Sequence, residues 1–324
     1  MSKILRYIER YIFFCLLIQK VIDIMIIEMY YNVDMTSLQY KKRGEIVKQI
    51  KLRENVFIPE IGFGTWKLED QELAKNSVLF ALQLGYRHID TAMSYGNEEA
   101  IGQAIKESGI PRSEIFLTTK LSNDFRGRDA TFRAFEQSLQ RLQTDYVDLF
   151  LIHWPSPKKY RDHYKELNNE TYKAMEELYF LGKIKALGVS NFLIHHLEEL
   201  STQVPVSVNQ IEFHPYFTDW ETIEYCQKHN MTIEAYSPLG RGQILKDPVI
   251  IKMAEKYQKS TAQICIKYAL QNNIVPLPKS QTTKRIQENL NVFDFEISEE
   301  DIQILKSLNK DDGKIGSHPD YADF

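Results

Sequence analysis

With 324 residues, 43% hydrophobic and 26% charged, the chain has the composition of a soluble globular protein and room for one large domain or two small ones. Its formal net charge is −4, with both signs spread along the sequence, which excludes the clustered basic footprint of a nucleic-acid-binding domain. The scattered cysteines, Cys15, Cys226 and Cys265, give neither a disulfide framework nor a zinc spacing, so a reducing, cytoplasmic setting is expected, with no metal.

Residues 1–34 stand apart. The stretch is apolar but interrupted by Lys20, Asp23 and Glu28. A spanning helix needs about 18 to 20 mostly apolar residues, and the uninterrupted run over 11–19 is too short. A signal peptide would end in a small-residue cleavage site, which is missing here. An interfacial helix is a third reading. The fourth, preferred here, is an over-extended start, with translation beginning at Met35 and residues 35–324 forming a single domain.

From Lys48 onward the pattern is steady. "VKQIKL" and "NVFIP" alternate around "REN" and predict a β-hairpin. Then a unit repeats: a short β-branched or aromatic run, a polar loop, and a helix with apolar residues three and four apart. The runs are "IGFGTW", "RHID", "IFLTTK", "VDLFLIHW", "IKALGVSN", "VSVNQIEFH", "TIEAYS" and "NIVPLPKS". Helical patterns such as "QELAKNSVLFALQLG", "NEEAIGQAIKESG" and "RDATFRAFEQSLQRL" separate them, and "SPKKYRDHYKELNNE" is expected to be a solvated loop or pocket rim. "SEEDIQILKSL" opens with a capping-box signature. Eight strands alternating with helices predict a (β/α)8 TIM barrel, closed at the bottom by the hairpin. A doubly wound open sheet is the alternative, disfavoured because no Gly-x-Gly-x-x-Gly turn follows a strand.

The ends of these runs carry the chemistry. In a parallel barrel all C-terminal strand ends share one face, where the active site lies. The second run ends at Asp90, the third at Lys120, the fourth at His153, the fifth at Ser190–Asn191, the seventh at Tyr236–Ser237 and the eighth at Lys279–Ser280, while the sixth carries Gln210. A lysine attached to "FLTT" would be half-buried and needs a carboxylate partner, because an unpaired buried charge is costly. Asp90 on the adjacent strand supplies it. Tyr95 follows Asp90 by one loop step. A free phenol has a pKa of ~10, and a nearby ammonium is expected to lower it. His153 can hydrogen-bond a substrate oxygen above the phenol. The four form a proton donor and an oxyanion cradle without a strong nucleophile, a metal or a carboxylate pair. A carbonyl held there could be protonated on oxygen while a bound nicotinamide delivers hydride to carbon.

This constellation resembles the aldo-keto reductase family. "GFGTWKL", "GYRHIDTAMSYGNEEAIGQAI", "IFLTTKL", "LIHWP", "YKAMEELYFLGKIKALGVSNF", "VNQIEFHPY", "AYSPLGRG" and "PKSQTTKRIQEN" match family segments in family order over residues 48–324. The resemblance implies NADPH-dependent reduction of aldehydes, ketones or dicarbonyls by a monomeric enzyme, and is strongest toward the microbial diketogluconate and glyoxal reductase-like subgroup. It implies Tyr95 as general acid, tuned by Lys120 and Asp90, with His153 orienting the carbonyl. Ser190, Asn191 and Gln210 would hold the nicotinamide carboxamide, and Tyr236 would stack on its ring. Ser237, Leu239 and Gly240 would line the pyrophosphate. Lys279, Ser280, Arg285, Glu288 and Asn289 would grip the adenosine end, with Lys279 and Arg285 on the 2′-phosphate. Gln281 departs from the small apolar residue that relatives often carry there. Trp66 and Trp154 are expected to line the substrate pocket. His195 and His196 are expected at the surface or as caps, and His214 as structural. The tail "GSHPDYADF" is expected either to fold back over the pocket or to be disordered. A barrel that binds cofactor for a regulatory or structural role is the alternative function, and residues 1–34 leave a membrane-associated form open.

Overall fold

The computed structural model describes residues 48–53 and 56–324; the expectations for residues 1–34 fall outside them. The hairpin pairs β1 (Gln49–Lys51) with β2 (Phe57–Pro59) antiparallel, Ile50 opposite Ile58. The parallel sheet follows: β3 (Phe63–Gly64), β4 (His88–Asp90), β5 (Phe116–Leu121), β6 (Val147–Ile152), β7 (Ile184–Ser190), β8 (Val208–Glu212), β9 (Thr232–Tyr236) and β10 (Ile274–Pro276). Each strand is hydrogen-bonded to the next in chain order, and Gly62 N–H to Pro276 O (3.0 Å) and Gly64 N–H to Pro278 O (3.2 Å) join the first to the last. The sheet therefore closes into the expected barrel rather than an open doubly wound sheet. Gly64 permits the closure, since a Cβ there would stand 2.9 Å from Leu277 O.

Helices separate the strands: α1 (Gln71–Leu84), α2 (Glu98–Glu107), α3 (Arg128–Leu142), α4 (Tyr164–Phe180), α5 (Ile194–Glu198), α6 (Trp220–Lys228), α7 (Pro248–Tyr257), α8 (Thr261–Gln271), α9 (Thr283–Leu290) and α10 (Glu299–Lys306). Their ends follow local chemistry. Asp70 caps α1 by accepting from Leu73 N–H, and Gly85, at φ 112°, ends it in the left-handed conformation. Ser298 caps α10 by accepting from Asp301 N–H. The stretch expected as a loop after β6 is largely ordered: residues 158–163 form 3-10 turns and α4 starts at Tyr164. Polar side chains fasten it there, with Asn168 donating to Pro155 O and Tyr164 OH to Glu199.

Alternation along the strands sorts the core. Leu149 and Leu151 of β6 join Phe116, Ala186 and Val208 inside the barrel, and Ile58 and Leu52 from the hairpin region pack onto them. Phe116 opens β5, so the hairpin plugs the N-terminal end. Val147, Phe150 and Ile152 belong to the larger core between sheet and helices. Continuing the inward parity toward the C-terminal end gives Thr118 and Lys120 on β5, His88 and Asp90 on β4, Gln210 and Glu212 on β8, and Glu234 and Tyr236 on β9. The apolar plug thus gives way to polar and charged side chains at the mouth opposite the hairpin.

Candidate active site

Lys120, fully buried at the end of β5, donates to Asp90 Oδ1 at 2.7 Å, to Asp90 Oδ2 at 2.8 Å and to the Thr91 carbonyl at 2.9 Å. Its fourth neighbour is the Tyr95 hydroxyl at 3.4 Å. Tyr95 sits in a 3-10 turn (Met93–Tyr95) just beyond β4, ended by Gly96 in the left-handed conformation. The phenol ring meets the His153 ring edge-on, with centroids 5.7 Å apart. His153 Nδ1 lies 3.2 Å from Ser94 Oγ, and Asn191 Nδ2 donates to its carbonyl. Residues from the ends of β4, β5 and β6 therefore meet at one mouth, as the strand-end reading expects.

The electrostatics correct one expectation. Burial lowers the tendency of Lys120 to stay charged, but Asp90, Tyr95 and Glu234 outweigh it, and the ammonium titrates above its ordinary value. For Tyr95 the balance runs the other way. Burial raises the phenol's pKa, Lys120 lowers it and Asp90 raises it, and the net direction is upward. The ammonium alone would lower the phenol's pKa; desolvation outweighs it. Tyr95 thus stays a phenol at neutral pH. His153 is held neutral, pushed well below the usual imidazole value by burial and by Lys120 and Arg126.

Beside this group lies a second. Asn191, at φ 65°, follows Ser190 at the end of β7; its Nδ2 donates to Ser190 Oγ and its Oδ1 accepts from the Tyr236 hydroxyl at 2.7 Å. Ser190 Oγ donates to Gln210 O. Gln210 is turned inward, its Nε2 donating to Asp90 Oδ2 and to Glu234 Oε2. The turn Ser237–Gly240 follows Tyr236, closed by Gly240 N–H to Ser237 O at 2.8 Å; a Cβ on Gly240 would come 2.7 Å from Ile244 Cγ2. Leu239 is partly buried beside it.

After β10, Ser280 Oγ accepts from Thr282 N–H as α9 begins. Lys279 is partly buried, and burial together with Lys67 depresses its pKa. Arg285 is exposed on α9, Glu288 is half-buried and Asn289 buried. Neither Lys279 nor Arg285 makes an ion pair among the described residues; Lys279 precedes α9 and Arg285 lies in its first turn, residue types suited to a phosphate. Gln281 is exposed, with Nε2 3.5 Å from Lys67 O. Trp66 lies beyond β3 with the Lys67 ammonium 4.7 Å and the Arg241 guanidinium 4.6 Å from its ring. Trp154 follows β6 and meets the Phe324 ring edge-on at 5.0 Å.

The tail folds back rather than being disordered. Ile315 N–H and Gly316 N–H donate to Glu212 at 2.6 and 2.8 Å, and Lys158 N–H donates to Phe324 O. Burial raises the Glu212 pKa, but His214, Lys314 and these backbone donors outweigh it and keep the carboxylate ionised. His214 is structural, as expected, with Nε2 3.1 Å from Glu212. His195 is half-exposed at the surface, whereas His196 is buried and caps its helix, Nδ1 accepting from Leu193 N–H; each takes one of the two expected roles. Both approach Asp320 of the tail, at 3.1 and 3.0 Å. With Asp320 they are the group of metal-like spacing among the described residues. The bond to His196 Nδ1 leaves the proton on Nε2, where it occupies the lone pair a metal would need; that nitrogen lies 3.0 Å from Asp320 Oδ1 without a hydrogen bond to it. Sequence reasoning missed Glu212, Asp320, Glu234 and His88. For Glu234 a signal existed: an acid at an inward position in the middle of the apolar run "TIEAY".

A buried Asp–Lys pair touching a phenol, at the C-terminal mouth of a closed eight-stranded barrel, narrows the class to barrel oxidoreductases of the kind the sequence resembles. The chain belongs to the aldo/keto reductase family, whose family model matches residues 60–310. It is 47% identical over 277 residues to glyoxal reductase of Bacillus subtilis, covering 85% of this chain and 97% of that one. An aldo/keto reductase structure from Brucella melitensis superposes with a TM-score of 0.76 at 44% identity, covering 81% of this chain and 99% of the other. A Gox0644 variant crystallised in complex with NADPH superposes with a TM-score of 0.80 at 40% identity, covering 86% and 100%.

Proposed function

We propose that the chain reduces small aldehydes and dicarbonyls with NADPH, and that Tyr95 is the proton donor. The observation that carries this reading is the Lys120 ammonium, clamped by Asp90 and 3.4 Å from the Tyr95 hydroxyl. When bound, the nicotinamide supplies hydride to the carbonyl carbon. The chain's own residues handle the oxygen. Tyr95 keeps its proton until negative charge develops on the carbonyl oxygen, because an alkoxide is a far stronger base than a phenolate. Lys120 then stabilises the phenolate left behind, and Asp90 stabilises Lys120. Neutral His153 can donate to the same oxygen and fix its direction. Ser190, Asn191 and Gln210 would hold the carboxamide, with Tyr236 against the ring. Ser237, Leu239 and Gly240 would follow the pyrophosphate, and Lys279, Ser280, Arg285, Glu288 and Asn289 the adenosine end. Trp66 and Trp154 would bound the carbonyl subsite.

The dicarbonyl preference draws on the glyoxal reductase relative. A monomer working in the cytoplasm, with residues 35–324 as the functional domain, completes the reading; among the described residues no helix is long and apolar enough to cross a membrane. The test is a panel of glyoxal, methylglyoxal, 4-nitrobenzaldehyde and simple ketones, each with NADPH and NADH. Turnover of aldehydes and dicarbonyls with NADPH supports it. Tight NADPH binding without turnover of any of them would instead favour a cofactor-binding barrel of regulatory or structural role.

A further inference from the structure

Beneath the mouth, two buried carboxyls share one amide. Gln210 Nε2 has two hydrogens and uses both, donating to Asp90 Oδ2 at 2.9 Å and to Glu234 Oε2 at 2.8 Å. Glu234 is fully buried and Asp90 nearly so. One ammonium faces the pair, and it is committed to Asp90, touching both of its oxygens. Glu234 has no cation at hydrogen-bond distance among the described residues. Its other oxygen, Oε1, lies 3.4 Å from His88 Nε2 and makes no hydrogen bond. His88 cannot serve as a second cation. It is wholly buried, its Nε2 lies 3.2 Å from Thr118 Oγ1, and its Nδ1 side closes against Gly62, where a Cβ would stand 2.5 Å away. Burial, then Lys120, push it down to about 3, so it is neutral. The titratable groups facing Glu234 are therefore His88 and Asp90 from β4 and Lys120 from β5. Gln210 of β8 brings no charge, and β10 brings Ile274, Val275 and Pro276.

Two carboxyls and one cation, all three buried, keep one proton on the carboxyls. We propose that Glu234 is a positioning residue that holds this proton at neutral pH, so that Asp90 alone carries the negative charge against which Lys120 and Tyr95 are set. The direction of its titration agrees: burial, then Asp90, push the carboxyl up to about 8, with Gln210 and Lys120 acting against them. As pH rises past that value Glu234 ionises and a second anion enters the pocket. Lys120 is then shared between two carboxylates, and release of the Tyr95 proton is opposed. The effect falls on alcohol oxidation with NADP⁺, where Tyr95 must first lose its proton to accept one from the alcohol. This inference rests on the reading of Tyr95 as the proton-transferring group.

The test is Glu234→Gln, which keeps an oxygen for Gln210 and removes the ionisable group. The pH profile of kcat for alcohol oxidation is recorded for parent and variant, with Tyr95→Phe alongside. The variant's alkaline limb should rise at a pH lower by about one unit. A role in packing alone would cost stability and leave the limb where it is. Superimposed limbs overturn the proposal while an inactive Tyr95→Phe leaves the proton-donor reading intact; an active Tyr95→Phe sinks that reading first. Should Glu234→Gln fail to fold, carbon-13 NMR titration of glutamate carboxyls in the parent decides. One glutamate still protonated at pH 7 is expected, and a fully ionised set at pH 7 would overturn the proposal.

Discussion

Lys120 and Asp90 form a two-pronged ion pair, 2.7 and 2.8 Å long, in which the lysine is completely buried and the aspartate nearly so. Such a pair is costly to leave half-made: removing one partner of a buried pair destabilises by about 3 to 5 kcal/mol. Asp90→Asn should therefore lower the melting temperature markedly and also reduce kcat, because Lys120 loses the charge that keeps it an ammonium. Differential scanning calorimetry and steady-state kinetics on the one variant check both. A variant as stable and active as the parent would remove the pair from the account.

Lys279 and Arg285 make no ion pair among the described residues, and burial together with the Lys67 ammonium holds the partly buried Lys279 below its ordinary value, with Glu69 acting against them. A dianionic 2′-phosphate would supply the partner. A charge-assisted hydrogen bond contributes about 1.5 to 3 kcal/mol. Arg285→Ala should therefore weaken NADPH by roughly ten- to a hundredfold and NADH by less than about twofold. Fluorescence titration with both cofactors measures this, and equal losses would count against the assignment.

How far the sequence already carried this structure depends on what each residue needed. Asp90, Lys120 and His153 were legible because each ends an apolar run, and a barrel collects strand ends on one face. The closure through Gly62 and Gly64 could be expected only from the count of strands. His88 is not legible, since nothing local marks an inward from an outward position in a strand as short as "RHID", whereas Glu234 carries a signal, an acid inside the apolar run "TIEAY". The upward direction of the Tyr95 titration was out of reach for a different reason. It is a balance between burial and a neighbouring ammonium, and the sequence showed only the ammonium. The tail's course is not legible in the sequence because its anchors, Glu212 and the α5 histidines, lie about a hundred residues earlier in the chain.

Two buried histidines set an acid limit to stability. His88 and His196 titrate at about 3 and about 4 in the folded protein, both chiefly because burial disfavours the imidazolium, against about 6.5 when unfolded. The unfolded chain then binds more protons than the native one between these values. Their contribution to stability is complete above pH 6.5 and declines as pH falls, by roughly 1.4 kcal/mol per pH unit for each histidine. Glu234, shifted upward, acts in the opposite sense, costing stability as pH rises from about 4.5 toward 8. Urea unfolding from pH 8 to pH 5 should show this. His196→Asn should flatten the acid slope, and an unchanged slope would mean that His196 is protonated in the folded state.

Residues 35–324, expressed from Met35, should give active reductase with kcat close to the parent's, since every proposed site residue lies at or beyond Trp66. Kinetics on the shortened chain check this. An inactive product would make residues 1–34 part of the working protein.

The central claim is that the Tyr95 hydroxyl, held near Lys120, delivers the proton in carbonyl reduction. Its most direct test is Tyr95→Phe, with NADPH affinity and single-turnover NADPH oxidation measured together. The account predicts NADPH binding close to the parent's and a turnover rate lower by about a hundredfold or more. A phenylalanine variant that consumes NADPH at the parent's rate would contradict it.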